Sequence, residues 1–271
     1  MPGDSDAAEE AVSMITLAPV RTKRVNSPFE LSALVDQLVG AEVRDGDVIV
    51  VSSKFMAISE GRVISLEAVA PSERARELSQ RYDVPTELCE LIIKESDEII
   101  GGVPGFILTL RDGLLTPNAG IDKSNIERGR VVLYPKSPLT SAAAIVNALK
   151  TSQGVQIGVV VSDSRLMPTR MGTTGVALAA AGLEAILDLR GKPDLFGNPL
   201  KVTRQAIADD VCSAAQLLMG EASESTPIVL VRGLEKALLG NYRYSSRDLS
   251  VPIAQCVFMQ SIGHTQSRPQ M

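Results

Sequence analysis

The chain has 271 residues, with 32 acids against 27 bases and a formal charge of −5. A mildly acidic surface speaks against nonspecific nucleic-acid binding, which needs dense Lys and Arg, and five Phe, four Tyr and no Trp leave few platforms for stacking bases. Apolar residues make up 45% of the sequence, enough for a proper core, and the single histidine, His264, excludes a two-histidine metal site within one chain.

Residues 1–13 hold four acids and no base and are expected to form a disordered acidic extension. A first unit starts at Met14. Ser27-Pro28 predicts a helix start, Leu31, Leu34, Val35 and Leu38 follow at helical spacing, and Gly40 can close the helix. Val48 to Val51 is a β-branched run short enough for a buried strand, ending in Ser52-Ser53-Lys54. Pro71 opens a polar helix and Pro85 a second one. Phe106 to Leu110 reads as a strand. The polar loop Pro117 to Asn125 follows, and Thr140 caps an Ala-rich helix that Gly154 ends.

A second unit is expected after a break near 150. Val155 to Ser164 reads as a strand running into polar residues. Val176 to Leu183 can be a helix or a small-residue strand, and Gly175 and Gly182 favour the strand. Asp188 to Leu200 is dense in turn residues. Thr203 is expected to cap an amphipathic helix along Ile207, Val211, Ala215 and Leu218, stopping at Met219-Gly220. Pro227 to Gly233 holds another buried strand, and 251–271 reads as a tail. Cys89, Cys212 and Cys256 form no CxxC pair and read as free thiols in a reducing compartment. No apolar run is long enough to span a bilayer, and the polar N-terminus resembles no signal peptide, so a cytoplasmic protein is expected.

Neither common phosphate loop, GxxxxGK(S/T) or GxGxxG, is present. The candidates for chemistry are acids at strand ends and in turns: Asp122, Asp163 and Glu221. Hard oxygen ligands of this kind suit Mg²⁺ or Mn²⁺, although Asp in turns is also common for local hydrogen bonding alone. Asn118 and Asn125 can hold a base or ribose, or serve as turn residues. Ser53 and Lys54, at a strand end, can receive phosphate. Arg165 and Arg170 can clamp an anion or form a structural salt bridge to Asp163.

Four stretches carry a resemblance: Ser59 to Arg62 (SEGR), Pro117 to Asn125 (PNAGIDKSN), Asp188 to Asp210, and Met219 to Gly233 (MGEASESTPIVLVRG). In this order they resemble the coenzyme F-420-0:γ-glutamyl ligases, from about Met14 to Arg232. The resemblance implies a mixed α/β fold of two subdomains in an intertwined homodimer, with the ligase-like domain over 14–250. It implies an enzyme that joins L-glutamate to the lactyl-phosphate side chain of F-420-0 while GTP becomes GDP and phosphate. Two Mg²⁺ or Mn²⁺ sites and K⁺ would assist. By the same resemblance, Asp122 and Asp163 are catalytic and ligate the first metal. Ser164 and Glu221 reach the second. Asn125 and Ser53 contact GTP, Lys54 lies beside Ser53, and Met219, Gly220, Glu221, Ala222 and Ser223 form the nucleotide loop. Pro19 and Val20 resemble an N-terminal nucleotide contact.

Two departures stand out. Ile58 occupies the place of the family's lysine before EGR, and Leu166 to Thr169 lack the family's Arg, Gly and aromatic. They motivate two alternatives: a paralogous carboxylate–amine ligase with another substrate, or a nucleotide- and metal-binding protein without turnover.

Overall fold

A computed structural model describes residues 14–265, with side chains to 261. The expected acidic extension over 1–13, residues 266–271 and the side chain of His264 lie outside the described residues. The first half of the chain runs β1 (Thr16–Val20), α1 (Leu31–Val39), β2 (Val48–Ser52), α2 (Ser53–Ser59), β3 (Val63–Ser65), α3 (Glu73–Tyr82), α4 (Thr86–Glu95), β4 (Glu98–Val103), β5 (Phe106–Arg111), β6 (Leu114–Pro117), β7 (Arg130–Val132) and α5 (Pro138–Gln153). The second half runs β8 (Gly158–Leu166), β9 (Thr173–Leu183), β10 (Leu187–Asp188), β11 (Arg204–Gln205), α6 (Ile207–Met219), β12 (Ile228–Arg232), β13 (Leu239–Ser245), α7 (Ser246–Leu249) and α8 (Val257–Thr265). The architecture is mixed α/β, as the sequence implies.

Six strands form the central sheet in the order β1-β12-β2-β8-β9-β13. Only β2 and β8 pair in parallel, Val48 opposite Gly158 through Ser52 opposite Ser162; the other neighbours are antiparallel. Successive strand residues face opposite sides. Ile49, Val51, Val159 and Val161 therefore pack in one core with Val35 of α1 and Ile145 and Leu149 of α5. Val48, Val50, Val160, Val229 and Val231 pack on the other side with Val211, Cys212 and Ala215 of α6. Strands buried on both faces explain the unbroken VIVV and IVLV runs. Full burial of each such side chain contributes about 1.5–3 kcal/mol. A bidentate pair of Arg232 with the buried Asp47, at 2.8 and 2.7 Å, ties the end of β12 to the start of β2.

A break near 150 does not separate two sheets, because β1 and β2 share the central sheet with β8, β9, β12 and β13. The separate core lies elsewhere. Between β2 and α5 the chain builds a small layer from α3, α4, the β3–β7 pair and the β4-β5-β6 sheet. Tyr82, Leu88, Ile92, Ile107 and Val131 form its interior.

Several boundaries differ from the sequence expectation. Ser53 does not continue a strand-end loop; it opens α2, which is buried at six of its seven residues. The first long helix starts at Leu31 rather than Ser27-Pro28, and Gly40 closes it in the right-handed region. Pro138 sits in the first turn of α5, so Thr140 lies inside that helix and Ser137 precedes it. Thr203 does not cap α6, which starts four residues later, because Arg204 and Gln205 pair with Asp188 and Leu187 as β11. The expected tail carries α8. Val176 to Leu183 is a strand, and Gly175 has a packing reason: a Cβ there would lie 2.3 Å from the Cys212 carbonyl oxygen of α6. Cys89 and Cys212 are buried, Cys256 is half-buried, and all three are free thiols. No helix among the described residues is long and apolar enough to cross a membrane.

Candidate active site

Parallel pairing places the C-terminal end of β2 beside Ser162 of β8, and the carboxyl ends of strands are the usual ligand position in open α/β sheets. A cavity of about 450 Å³ opens there. Its wall gathers Ser53 and Lys54 from α2, Asp122 and Asn125 from the 117–125 loop, Asp163 and Ser164 from β8, Met219 at the end of α6, and Gly220 to Thr226 after it. Ser53, Lys54, Asp122, Asn125, Asp163, Ser164 and Met219 to Ser223, drawn from four remote stretches, line this one space.

Each acid already has partners. Asp122 Oδ2 lies 2.6 Å from Lys54 Nζ, and its Oδ1 accepts the Ser124 amide at 2.6 Å. Burial works against the charge on Asp122, but the Lys54 ammonium and the hydrogen bonds from Ser124 together outweigh it and hold the carboxyl below its ordinary range. Asp163 Oδ1 accepts the Ser53 hydroxyl at 2.6 Å, and Oδ2 lies 2.8 Å from Arg165 Nε. Arg165 is buried and also donates to Thr116 Oγ1 of β6, so its role is the structural salt bridge rather than an anion clamp. Arg170 is exposed and does not line the cavity. Glu221 accepts hydrogen bonds from Thr173 Oγ1 at 2.6 Å and from Gln216 Nε2. The carboxylates do not meet as a trio: among the described residues no three Asp, Glu, His or Cys side chains are gathered closely enough to hold a metal ion.

The donor set still fits a hard divalent cation in kind. Asp122, Asp163, Ser164 and Glu221 offer only oxygen, all from one cavity wall. Such an ion would supply charge neutralisation at a phosphoryl group.

The nucleotide-loop candidates form a tight turn. Gly220 has φ +67°, and a Cβ there would lie 2.3 Å from the Glu224 carboxyl carbon. Asn125 Nδ2 donates to the Ala222 carbonyl at 2.6 Å, joining this turn to the 117–125 loop. Asn118 is instead a buried structural residue whose Oδ1 accepts the Ile107 amide. Ile58 is buried beside Val132 yet forms part of the cavity wall, which is apolar at that point.

The N-terminal contact needs a correction. Pro19 and Val20 pair with Val229 and Ile228 in β1 and do not line the cavity. The four residues Thr22, Lys23, Arg24 and Val25 do, and the Thr22 amide donates to the Ser225 carbonyl at 3.0 Å. Sequence reading missed Lys23 and Arg24; the basic run Arg21 to Arg24 leaving an apolar strand is the signal that marks them. Leu166 to Thr169 lie outside the cavity lining.

A family model described as F-420-0:gamma-glutamyl ligase matches residues 19–233. The chain belongs to this family. The coenzyme F-420:L-glutamate ligase of Methanopyrus kandleri is 37% identical over 226 residues, covering 83% of this chain and 89% of that protein. The enzyme of the same name from Methanothermobacter thermautotrophicus is 40% identical over 195 residues, 72% of this chain and 77% of the relative. That of Archaeoglobus fulgidus is 36% identical over 219 residues, 79% and 88% of the two chains. The matched span contains every cavity residue named above, so membership of the F-420-0:gamma-glutamyl ligase family and the geometry concern the same part of the molecule.

Proposed function

We propose that this protein is a GTP-dependent amide ligase that adds L-glutamate to the side-chain carboxylate of F-420-0 and releases GDP and phosphate. The observation that carries this reading is the convergence of Asp122, Asp163, Ser164, Glu221, Lys54 and the Met219–Ser223 loop on one cavity in a chain of this family. The acceptor carboxylate attacks the γ-phosphorus, and GDP leaves. The amine of glutamate then attacks the acyl phosphate carbon, phosphate leaves and an amide bond remains. Catalysis of this type is mostly positioning and charge neutralisation. Asp122 and Asp163, with Ser164 and Glu221, would hold Mg²⁺ or Mn²⁺ at two sites, assisted by K⁺. Lys54 and Ser53 would meet phosphate. Asn125 and the loop would hold the nucleotide. We further infer a homodimer working in the cytoplasm, where the buried thiols Cys89 and Cys212 stay reduced.

One observation favours a second reading. Ile58 makes the cavity wall apolar where the sequence resemblance implies a lysine. A paralogous carboxylate–amine ligase with another acceptor would keep the acids and change that wall. Mass spectrometry of the purified protein with F-420-0, glutamate, GTP and Mn²⁺ tests the assignment. Glutamylated F-420-0 is expected, with GDP and phosphate formed only when both co-substrates are present. Binding without GTP turnover would leave a nucleotide- and metal-binding protein, and turnover with a different acid would establish the paralogue.

A further inference from the structure

Lys54 is the second residue of α2, and its ammonium has three partners: Asp122 Oδ2 at 2.6 Å, Ser124 Oγ at 2.8 Å and the Ser124 carbonyl at 3.2 Å. Three acceptors saturate the three donors of an ammonium. The other oxygen of Asp122 is held by the Ser124 amide at 2.6 Å. Both oxygens of this carboxylate are therefore engaged, one by a backbone turn and one by a mobile cation.

We propose that Lys54 is a built-in competitor for the carboxylate of Asp122, which a divalent cation must displace before Asp122 can serve as its ligand. The inference rests on the metal-assisted ligase reading. Its physical basis is the shared carboxylate. An ammonium and a divalent ion on one acid repel each other, and the ammonium is the partner that can move. It sits on a four-carbon stem, whereas the Ser124 amide is fixed in the loop. Once displaced, Lys54 stays in the same cavity, whose wall it forms with Ser53 and Asp163, and can turn to a phosphate group.

The position of the cation along α2 supports this role. Ile58 lies one helical turn further on, on the same side of the helix. It is only 6% exposed and packs with Ala57 and Val132. The chain thus puts its α2 cation next to the acid and an apolar side chain deeper in the wall. Lys23 and Arg24 also line the cavity, but they come from the segment after β1, and no ion pair joins either to Asp122.

The test is titration of the full-length protein with MnCl₂ alone, without nucleotide, followed by the electron paramagnetic resonance of free Mn²⁺. Lys54→Met removes the charge at similar length, and Lys54→Gln keeps a group that can bond Ser124 should the first variant fold poorly. Either is expected to bind Mn²⁺ about two- to tenfold more tightly than wild type, the scale of one partly exposed ion pair removed. Adding Asp122→Asn to either variant is expected to abolish the gain. Affinity that rises less than twofold, falls, or is undetectable in all proteins overturns the proposal, as does a gain that survives Asp122→Asn. The ligase reading is judged separately by glutamylated product. Product without the Mn²⁺ pattern removes only the competition, and the pattern without product removes only the ligase.

Discussion

Asp163, proposed above as a metal ligand, also carries structure. Its carboxylate joins the Ser53 hydroxyl to the buried Arg165 guanidinium, which in turn holds Thr116 in the small layer. Arg165 Nη2 is already buried without a hydrogen-bond partner among the described residues. Asp163→Asn keeps the shape but removes the anion, leaving a buried cation uncompensated. A loss of about 1–3 kcal/mol in urea-unfolding stability is expected beside the loss of ligase activity, because the cost is that of an unsatisfied buried group. In the sequence Asp163 reads either as a ligand or as the partner of a structural salt bridge, and the structure shows the bridge, made with the neighbour two residues on. At Lys54 the expectation is different. Its half-buried ammonium should contribute a charge-assisted contact to phosphate, so Lys54→Ala should raise the apparent GTP constant or slow turnover by roughly one to two decades, about 1.5–3 kcal/mol. Steady-state kinetics against GTP check this; constants within about twofold of wild type would make the lysine dispensable.

Among the elements, β9 and α6 come closest in backbone at Gly175. Gly175→Ala would drive a Cβ to 2.3 Å from the Cys212 carbonyl, and neither backbone can yield cheaply. An overpacking cost of about 1–3 kcal/mol is expected, read as a lower melting temperature. The α3–α4 pair has an acid-sensitive joint. Glu90 of α4 accepts the Ser72 hydroxyl at 2.6 Å and the Ser72 amide at 2.9 Å, and the hydroxyl contact foremost holds its carboxyl down to about 2. A depressed folded value stabilises above the ordinary carboxylate range and is lost as pH falls from about 4.5 towards 2. Glu90→Gln should therefore lower stability at neutral pH and converge on wild type in acid, in urea midpoints taken across that window. The buried strands β2, β8 and β12 are legible in the sequence because continuous β-branched runs have no other stable use. The strand at β9 is legible through its two glycines. The start of α2 is not: Ser-Ser-Lys reads as loop, and a helix buried nearly all round has no polar face to give it a period. Likewise Thr203 looks like a cap only if the β10–β11 pair is unseen.

For the whole molecule, spacing could name Asp122, Asp163 and Glu221 but could not show that they share a cavity, since that depends on the order of strands in the sheet. Spacing also could not show that they stop short of a ready-made trio. Large apolar side chains remain uncovered on the single chain: Leu195 and Phe196 in the β10–β11 connection and Met171 in the β8–β9 turn are 101%, 90% and 102% exposed. The homodimer reading gives them a place. Light scattering at micromolar concentration should return twice the 28.8 kDa chain mass, and a particle of the single-chain mass would contradict it. The sheet order has a further consequence, in time rather than space. β2 lies between β8 and β12, with Val48 opposite Gly158 and Val51 opposite Ile228. Chains are synthesised at about 5–20 residues per second, so β2 emerges roughly 5–20 s before its first sheet neighbour and longer still before the second. For that interval VIVV, an uncharged β-forming run, has both edges open, the condition that invites pairing with another chain. The small layer and α5 are made during this wait, so the helix that will cover one face of β2 is complete before either neighbouring strand arrives.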